Sequence, residues 1–144
     1  MIIQIIAATV GSVGFAIFLK MRGKQIVMAG AGGAVTWIVY LLTESMAGGL
    51  FIPYFTASVF VAVYAEIMAR VNRAPATIFL TAAAVPLIPG GSLYYTMEGL
   101  VNQDNAMFVQ NGVATITVAL AIALGFMMIS VISRYIRLIL RKNR

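Results

Sequence analysis

Ala74-Pro75-Ala76-Thr77-Ile78-Phe79-Leu80-Thr81-Ala82-Ala83-Ala84-Val85-Pro86-Leu87-Ile88-Pro89-Gly90-Gly91 is a run apolar enough for lipid and too interrupted for an ordinary helix. The stretch from Ala74 to Ile88 would reach only about 22 Å as a helix, short of the roughly 30 Å hydrocarbon core. Proline removes an N–H donor and clashes with the carbonyl four residues back, while paired glycines open conformations closed to other residues. The spacing therefore predicts a helix that breaks inside the membrane. Lipid cannot satisfy the backbone groups freed there, so protein or a hydrated cavity must. If Ser92 caps a second half-helix from Leu93, the free N–H groups and positive dipole end of its first turn point into that cavity. A carboxylate is their natural ligand, and broken helices of this kind hold the substrate in many secondary transporters. A surface turn between two spans is the competing reading, because Pro-Gly pairs commonly mark turns.

The rest of the chain also fits lipid. Of 144 residues, 62% are hydrophobic and 10% charged, and four acidic side chains are too few to cover a water-facing surface. The apolar segments read as spans at about 1–19, 25–43, 50–69, 74–89 and 106–133, with a basic tail over 134–144. The expected fold is an all-α membrane protein forming one transmembrane domain over 1–144, with about five transmembrane helices and the fourth broken at Pro86 and Pro89-Gly90-Gly91. A β-barrel is excluded, since it would show short alternating segments. Met1-Ile2-Ile3-Gln4-Ile5-Ile6 enters the first apolar run without a basic leader, so that segment is expected to be retained.

Charge alternates along the chain: Lys20, Arg22 and Lys24, then Glu44, then Arg70 and Arg73, then Glu98 and Asp104, then the basic tail. The positive-inside rule places the N-terminus outside and the C-terminus in the cytoplasm. Basic residues gathered at span ends are topology signals and not a nucleic-acid footprint. Arg134, Arg137 and Arg141 fall at helical spacing, which suits either an anionic inner leaflet or a plain stop-transfer cluster. Trp37, Tyr40, Tyr54, Tyr64, Tyr94, Tyr95 and Tyr135 lie toward predicted span ends, where belt residues are expected.

The side-chain inventory excludes most catalysis. With no cysteine and no histidine, the usual metal, thiolate and proton-shuttle groups are missing, so no enzyme, cofactor or metal site is expected. Glu66 stands one helical turn before Arg70; it is a candidate for proton coupling, with an interfacial ion pair as the alternative. Because no ionisable residue occupies the middle of a span, further coupling groups are expected on a partner. Small residues mark close helix approach: Gly11, Ser12 and Gly14, then Gly30 to Ala34, then Thr115, Ala119 and Ala123, with Ala114, Thr117, Ala121 and Gly125 beside them. The candidate substrate-binding set is Pro89, Gly90, Gly91 and Ser92 at the break, Tyr94 or Tyr95 lining the cavity, and Asn111 adding a polar contact from the same depth.

Pro53-Tyr54-Phe55, Glu66-Ile67-Met68-Ala69-Arg70 with Arg73-Ala74-Pro75, and above all Pro86-Leu87-Ile88-Pro89-Gly90-Gly91-Ser92-Leu93-Tyr94-Tyr95-Thr96 resemble the threonine/serine exporter family, in particular its small five-span component. The likeness covers nearly the whole chain, with Gly91-Ser92 departing from the more usual small-residue order. It implies a multi-pass protein of the bacterial inner membrane that acts with a larger membrane subunit. The expected function is the small subunit of a secondary exporter for small polar carboxylate-bearing metabolites, threonine and serine or short dicarboxylates. An odd span count with the N-terminus outside would suit a partner of inverted topology, with the site between the halves. Two other readings stand beside it: a scaffold subunit that never touches solute, and a channel-like higher oligomer, which the lack of a polar ring at fixed depth opposes.

Overall fold

A computed structural model describes the backbone of residues 1–142 and the side chains as far as Ile136, together with those of Leu138 and Ile139. The tail cations Arg137, Arg141, Lys142 and Arg144 lie outside the described side chains. The helices are α1 (Ile2–Phe18), α2 (Lys24–Ala47), α3 (Phe51–Asn72), α4 (Ala76–Ala84), α5 (Gly90–Val101) and α6 (Asn105–Lys142), with a 3-10 turn at Val85–Leu87 between α4 and α5. No strand occurs among the described residues.

Local chemistry sets the boundaries. Gly48 and Gly49 take positive φ values of 62° and 72°, which reverses the chain between α2 and α3 at little steric cost. At the end of α3, Arg73 turns left-handed and the Ala74 N–H reaches back to the Ala69 carbonyl at 3.0 Å, after which Pro75 cannot continue the helix. Asp104 caps α6 by accepting the Met107 N–H at 3.0 Å.

Three helices are long and apolar enough to cross a membrane: α2, α3 and the Asn105–Ile136 part of α6. Ala76–Leu87 and Gly90–Val101, bent by 58° at the break, form a fourth if the pair is taken as one span. At 17 residues, α1 spans about 26 Å.

Small residues let the helices close on one another. Gly33 of α2 abuts Ser12 of α1, Gly32 faces Tyr64 and Ala83, and Gly125 of α6 abuts Ser58 of α3. Two buried clusters result, one of Ala16, Met21, Ala29, Ala65, Phe79 and Ala82, the other of Tyr40, Ala57, Val61, Ala83 and Leu87. Of the two small-residue stripes on α6, Ala121 and Gly125 are buried, whereas Ala119 and Ala123 are exposed.

α2 and α3 are antiparallel, with Asn72 bonding Met28 at one end and Thr56 bonding Thr43 near the other. α6 runs parallel to α3, since Ser58 reaches the Ala121 carbonyl while Arg70 shares a groove with Ile136. This arrangement gathers Lys20, Arg22, Lys24, Arg70, Arg73 and Arg134 at one end of the bundle, and Glu44, Glu98 and Asp104 toward the other. The alternating loop charges of the sequence thus become two poles in space.

Two expectations need correction. The second half of the broken span starts at Gly90 and not at Leu93: residues Gly90–Val101 form α5, which packs along α6 with Gly99 against the Phe108 backbone and Gly112 facing Thr96. Trp37 is not at a span end either, being the fourteenth of the 24 residues of α2, and it stacks on Tyr40 inside the bundle.

Candidate functional site

The break is built by two prolines acting differently. Pro86 sits inside the 3-10 turn, where the Ile88 N–H bonds the Val85 carbonyl at 3.2 Å. Ile88 is then extended, and Pro89, at φ −77° and ψ 57°, centres a three-residue turn closed by the Gly90 N–H on the Ile88 carbonyl at 2.7 Å. That geometry is an inverse γ-turn. The Leu93 N–H on the Pro89 carbonyl at 3.0 Å then starts α5. Leu87, fully buried, anchors the turn in the core, whereas the exposed Ile88 marks where the chain leaves it.

α5 therefore begins at Gly90 with Pro89 at its N-cap and no side-chain cap, so Ser92 is not the capping residue. Ser92 lies inside the first turn, and its carbonyl accepts the Thr96 hydroxyl at 2.6 Å. Pro89 supplies the reversal that a cap would otherwise shape, so the helix starts three residues earlier than a Ser92 cap would allow.

The other sequence-derived candidates scatter. Gly90 and Gly91 are exposed with open space around them. Tyr94 and Tyr95 are 64% and 48% exposed and meet each other edge-on at 5.4 Å. Asn111 donates to the Met107 carbonyl of its own helix at 3.0 Å. Because Thr96 faces Gly112, Asn111 stands about two helical turns from the level of Pro89 and not at the depth of the break. Glu66 reaches Arg70 at 3.9 Å and lines two grooves among α3, α4 and α6, near Ile129.

What lies beside the break is a cavity of about 280 Å³ lined by Gln4, Ala7, Ala8, Trp37 and Pro86. None of its lining residues is charged. The Trp37 ring is held at 4.7 Å from Tyr40, whose own ring lies 4.7 Å from Tyr54 and whose hydroxyl donates to Glu44 at 3.1 Å. Among the described residues, the buried Trp37 Nε1–H and Ser12 hydroxyl have no hydrogen-bond partner. Gln4 and Trp37 escaped the sequence reading because one looked like an incidental polar residue and the other like a belt residue. A usable signal was there: Trp37 is the chain's single tryptophan, placed fourteen residues into a helix.

No group of His, Cys, Asp or Glu among the described residues could hold a metal ion. A bundle of helices apolar enough for lipid, with one pair bent at a break, is the architecture of a multi-pass membrane protein. The family model for "Threonine/Serine exporter, ThrE" matches residues 4–132, and the chain belongs to that family, which is one of transporters and not of enzymes. Searches of curated proteins and of solved structures gave no match.

Proposed function

We propose that this chain is the small subunit of a secondary exporter for small polar carboxylate-bearing metabolites, threonine and serine before short dicarboxylates, acting with a larger partner in the bacterial inner membrane. The observation that carries the reading is the α4–α5 pair, broken by 58° beside an open pocket, in a member of an exporter family. The single domain crosses the membrane five times, with α1 as the first and shortest span. The N-terminus lies outside and the C-terminus in the cytoplasm, a topology supported by the basic pole formed by Lys20, Arg22, Lys24, Arg70, Arg73 and Arg134. Pro89, Gly90, Gly91 and Ser92 shape the break. Tyr94, Tyr95 and Asn111 belong to the partner-facing side of the solute path.

A partner is supported by the length of α6. Its apolar stretch Asn105–Ile136 has 32 residues, about 48 Å, against a core of about 30 Å. Since Ser58 lies level with Ala121 and Gly125, α6 overhangs the start of α3 by roughly 15 Å. α5 folds along that overhang and leaves Leu93, Tyr94, Met97, Leu100, Val109 and Val113 exposed. A second subunit of inverted topology would cover this hairpin.

Reconstitution tests the reading. Liposomes holding both subunits are expected to carry labelled threonine out, and liposomes holding either subunit alone are not. Flux from this chain alone would instead identify a channel, and solute binding wholly on the partner would identify a scaffold.

A further inference from the structure

We propose that the groove between α3 and α6 at the basic pole binds one zwitterionic phospholipid, a phosphatidylethanolamine, whose phosphate meets Arg70 and whose ammonium meets Glu66. The inference rests on the chain's place in a membrane and not on the solute it moves.

The groove has two kinds of wall. Val63 and Ile67 of α3 and Ile129, Ile132 and Ile136 of α6 line its length, and Glu66 and Arg70 stand in it as a pair of opposite charges. Val63, Ile67, Ile132 and Ile136 are all exposed, so in a membrane the groove opens sideways on hydrocarbon. Its volume is about 190 Å³. An acyl chain suits such walls, whereas a free polar solute would lose its water there with little in return.

Depth fits a headgroup. Arg70 and Glu66 stand two and six positions before Asn72, the last residue of α3, about 3 and 9 Å along the axis. Helical side chains lean toward the N-terminus of their helix, so Arg70 reaches back over the turn that holds Glu66. Their charged ends meet side by side at 3.9 Å.

Charge selects the headgroup. The Arg70 side chain is 60% exposed and a guanidinium has five N–H donors, so its contact with Glu66 leaves donors for a phosphate. The Glu66 side chain is 23% exposed, and its carboxylate has about four lone-pair positions, enough to accept from an ammonium beside the partners it already has. Phosphatidylethanolamine presents the complement of this pair, a phosphate and a hydrogen-bonding ammonium joined by a short ethylene link. Phosphatidylcholine has the same net charge, but its methylated nitrogen has no N–H to donate. Phosphatidylglycerol offers Arg70 a phosphate and sets an uncompensated negative charge beside Glu66. Lys20, Arg22, Lys24, Arg73 and Arg134 attract anionic lipid to this pole in general, yet none of them lines the groove. A lipid seated here would tie α6 to α3 at the membrane surface.

Native mass spectrometry of the two-subunit complex tests the site. The complex would be exchanged in detergent into an equimolar mixture of phosphatidylethanolamine, phosphatidylcholine and phosphatidylglycerol and weighed with the lipid it retains. One phosphatidylethanolamine is expected, favoured roughly tenfold over each of the others. Glu66→Gln should abolish the preference over phosphatidylcholine and, with the repelling charge gone, turn it toward phosphatidylglycerol. Ile67→Trp, at an exposed position where the larger ring would fill the groove, should lose the lipid with both charges in place. Equal retention of the three lipids, or a preference that survives both substitutions, overturns the proposal. So does phosphatidylethanolamine that is held by this chain alone and lost when the partner is added, which would give the groove to the partner. None of these readouts involves flux, so the transport reading stands or falls separately.

Discussion

Ser12 of α1 and Gly33 of α2 meet so closely that a methyl group at position 33 would land on the Ser12 hydroxyl. The α1–α2 seam therefore depends on a missing side chain. Gly33→Ala should destabilise the purified protein by roughly 1–3 kcal/mol, the range for overpacking, read as a fall in the thermal midpoint in detergent. Ser12→Gly in the same chain should return most of the loss, because it removes both atoms that the new methyl meets. Equal losses in single and double variants would mean that the seam is not packed as described.

Gly99 tests the hairpin separately from the bundle. A Cβ there would meet the backbone of Phe108, which cannot rotate aside as a side chain can. Gly99→Ala should splay α5 from α6 and sharply reduce co-purification of the partner, with the contacts of α1 to α4 retained. Cysteine cross-linking between positions 96 and 112, compared with cross-linking between positions 43 and 56, would separate the two effects. Loss of both cross-links would show that hairpin and bundle fold as one unit.

The sequence carried the broken span because proline and glycine act locally, whatever surrounds them. It carried the charge poles because each loop declares its sign independently of packing. It carried a second half-helix after the break but not where that helix starts or what it packs on: the γ-turn at Pro89 starts α5 at Gly90, and Gly99 lets it close on α6. The cavity was equally hidden, because it joins Gln4, Trp37 and Pro86 from three distant stretches of chain. Small-residue patterning could show that α6 approaches a neighbour, but not which stripe would do so; Ser58 decides for Gly125 and Ala121.

Gly90 and Gly91 separate structural need from functional need. Neither has positive φ, and a Cβ at either would meet nothing within 4 Å. Ala at each position should fold normally and stabilise the first turn of α5 by roughly 0.5–1 kcal/mol, the usual helix advantage over glycine. Circular dichroism and melting would check the fold. If export falls in a variant that melts no lower than the parent, those glycines serve the solute path or its motion; unchanged export would confine them to the break.

Glu66 offers the sharpest test of coupling. Its partner Arg70 is 60% exposed and the pair is 3.9 Å long, so the ion pair adds about 0–1 kcal/mol at most to stability. Glu66→Gln should therefore leave the thermal midpoint within a few degrees of the parent. Transport should respond differently. If Glu66 carries the coupled proton, the glutamine variant in the complete exporter loses flux driven by an imposed proton gradient yet still exchanges labelled for unlabelled threonine at equal concentrations, since exchange needs no net proton movement. Glu66→Asp, which keeps an ionisable group near Arg70, should restore part of the driven flux. Gradient-driven flux that survives in Glu66→Gln would leave Glu66 as an anchor for the end of α3 and place the coupling group on the partner.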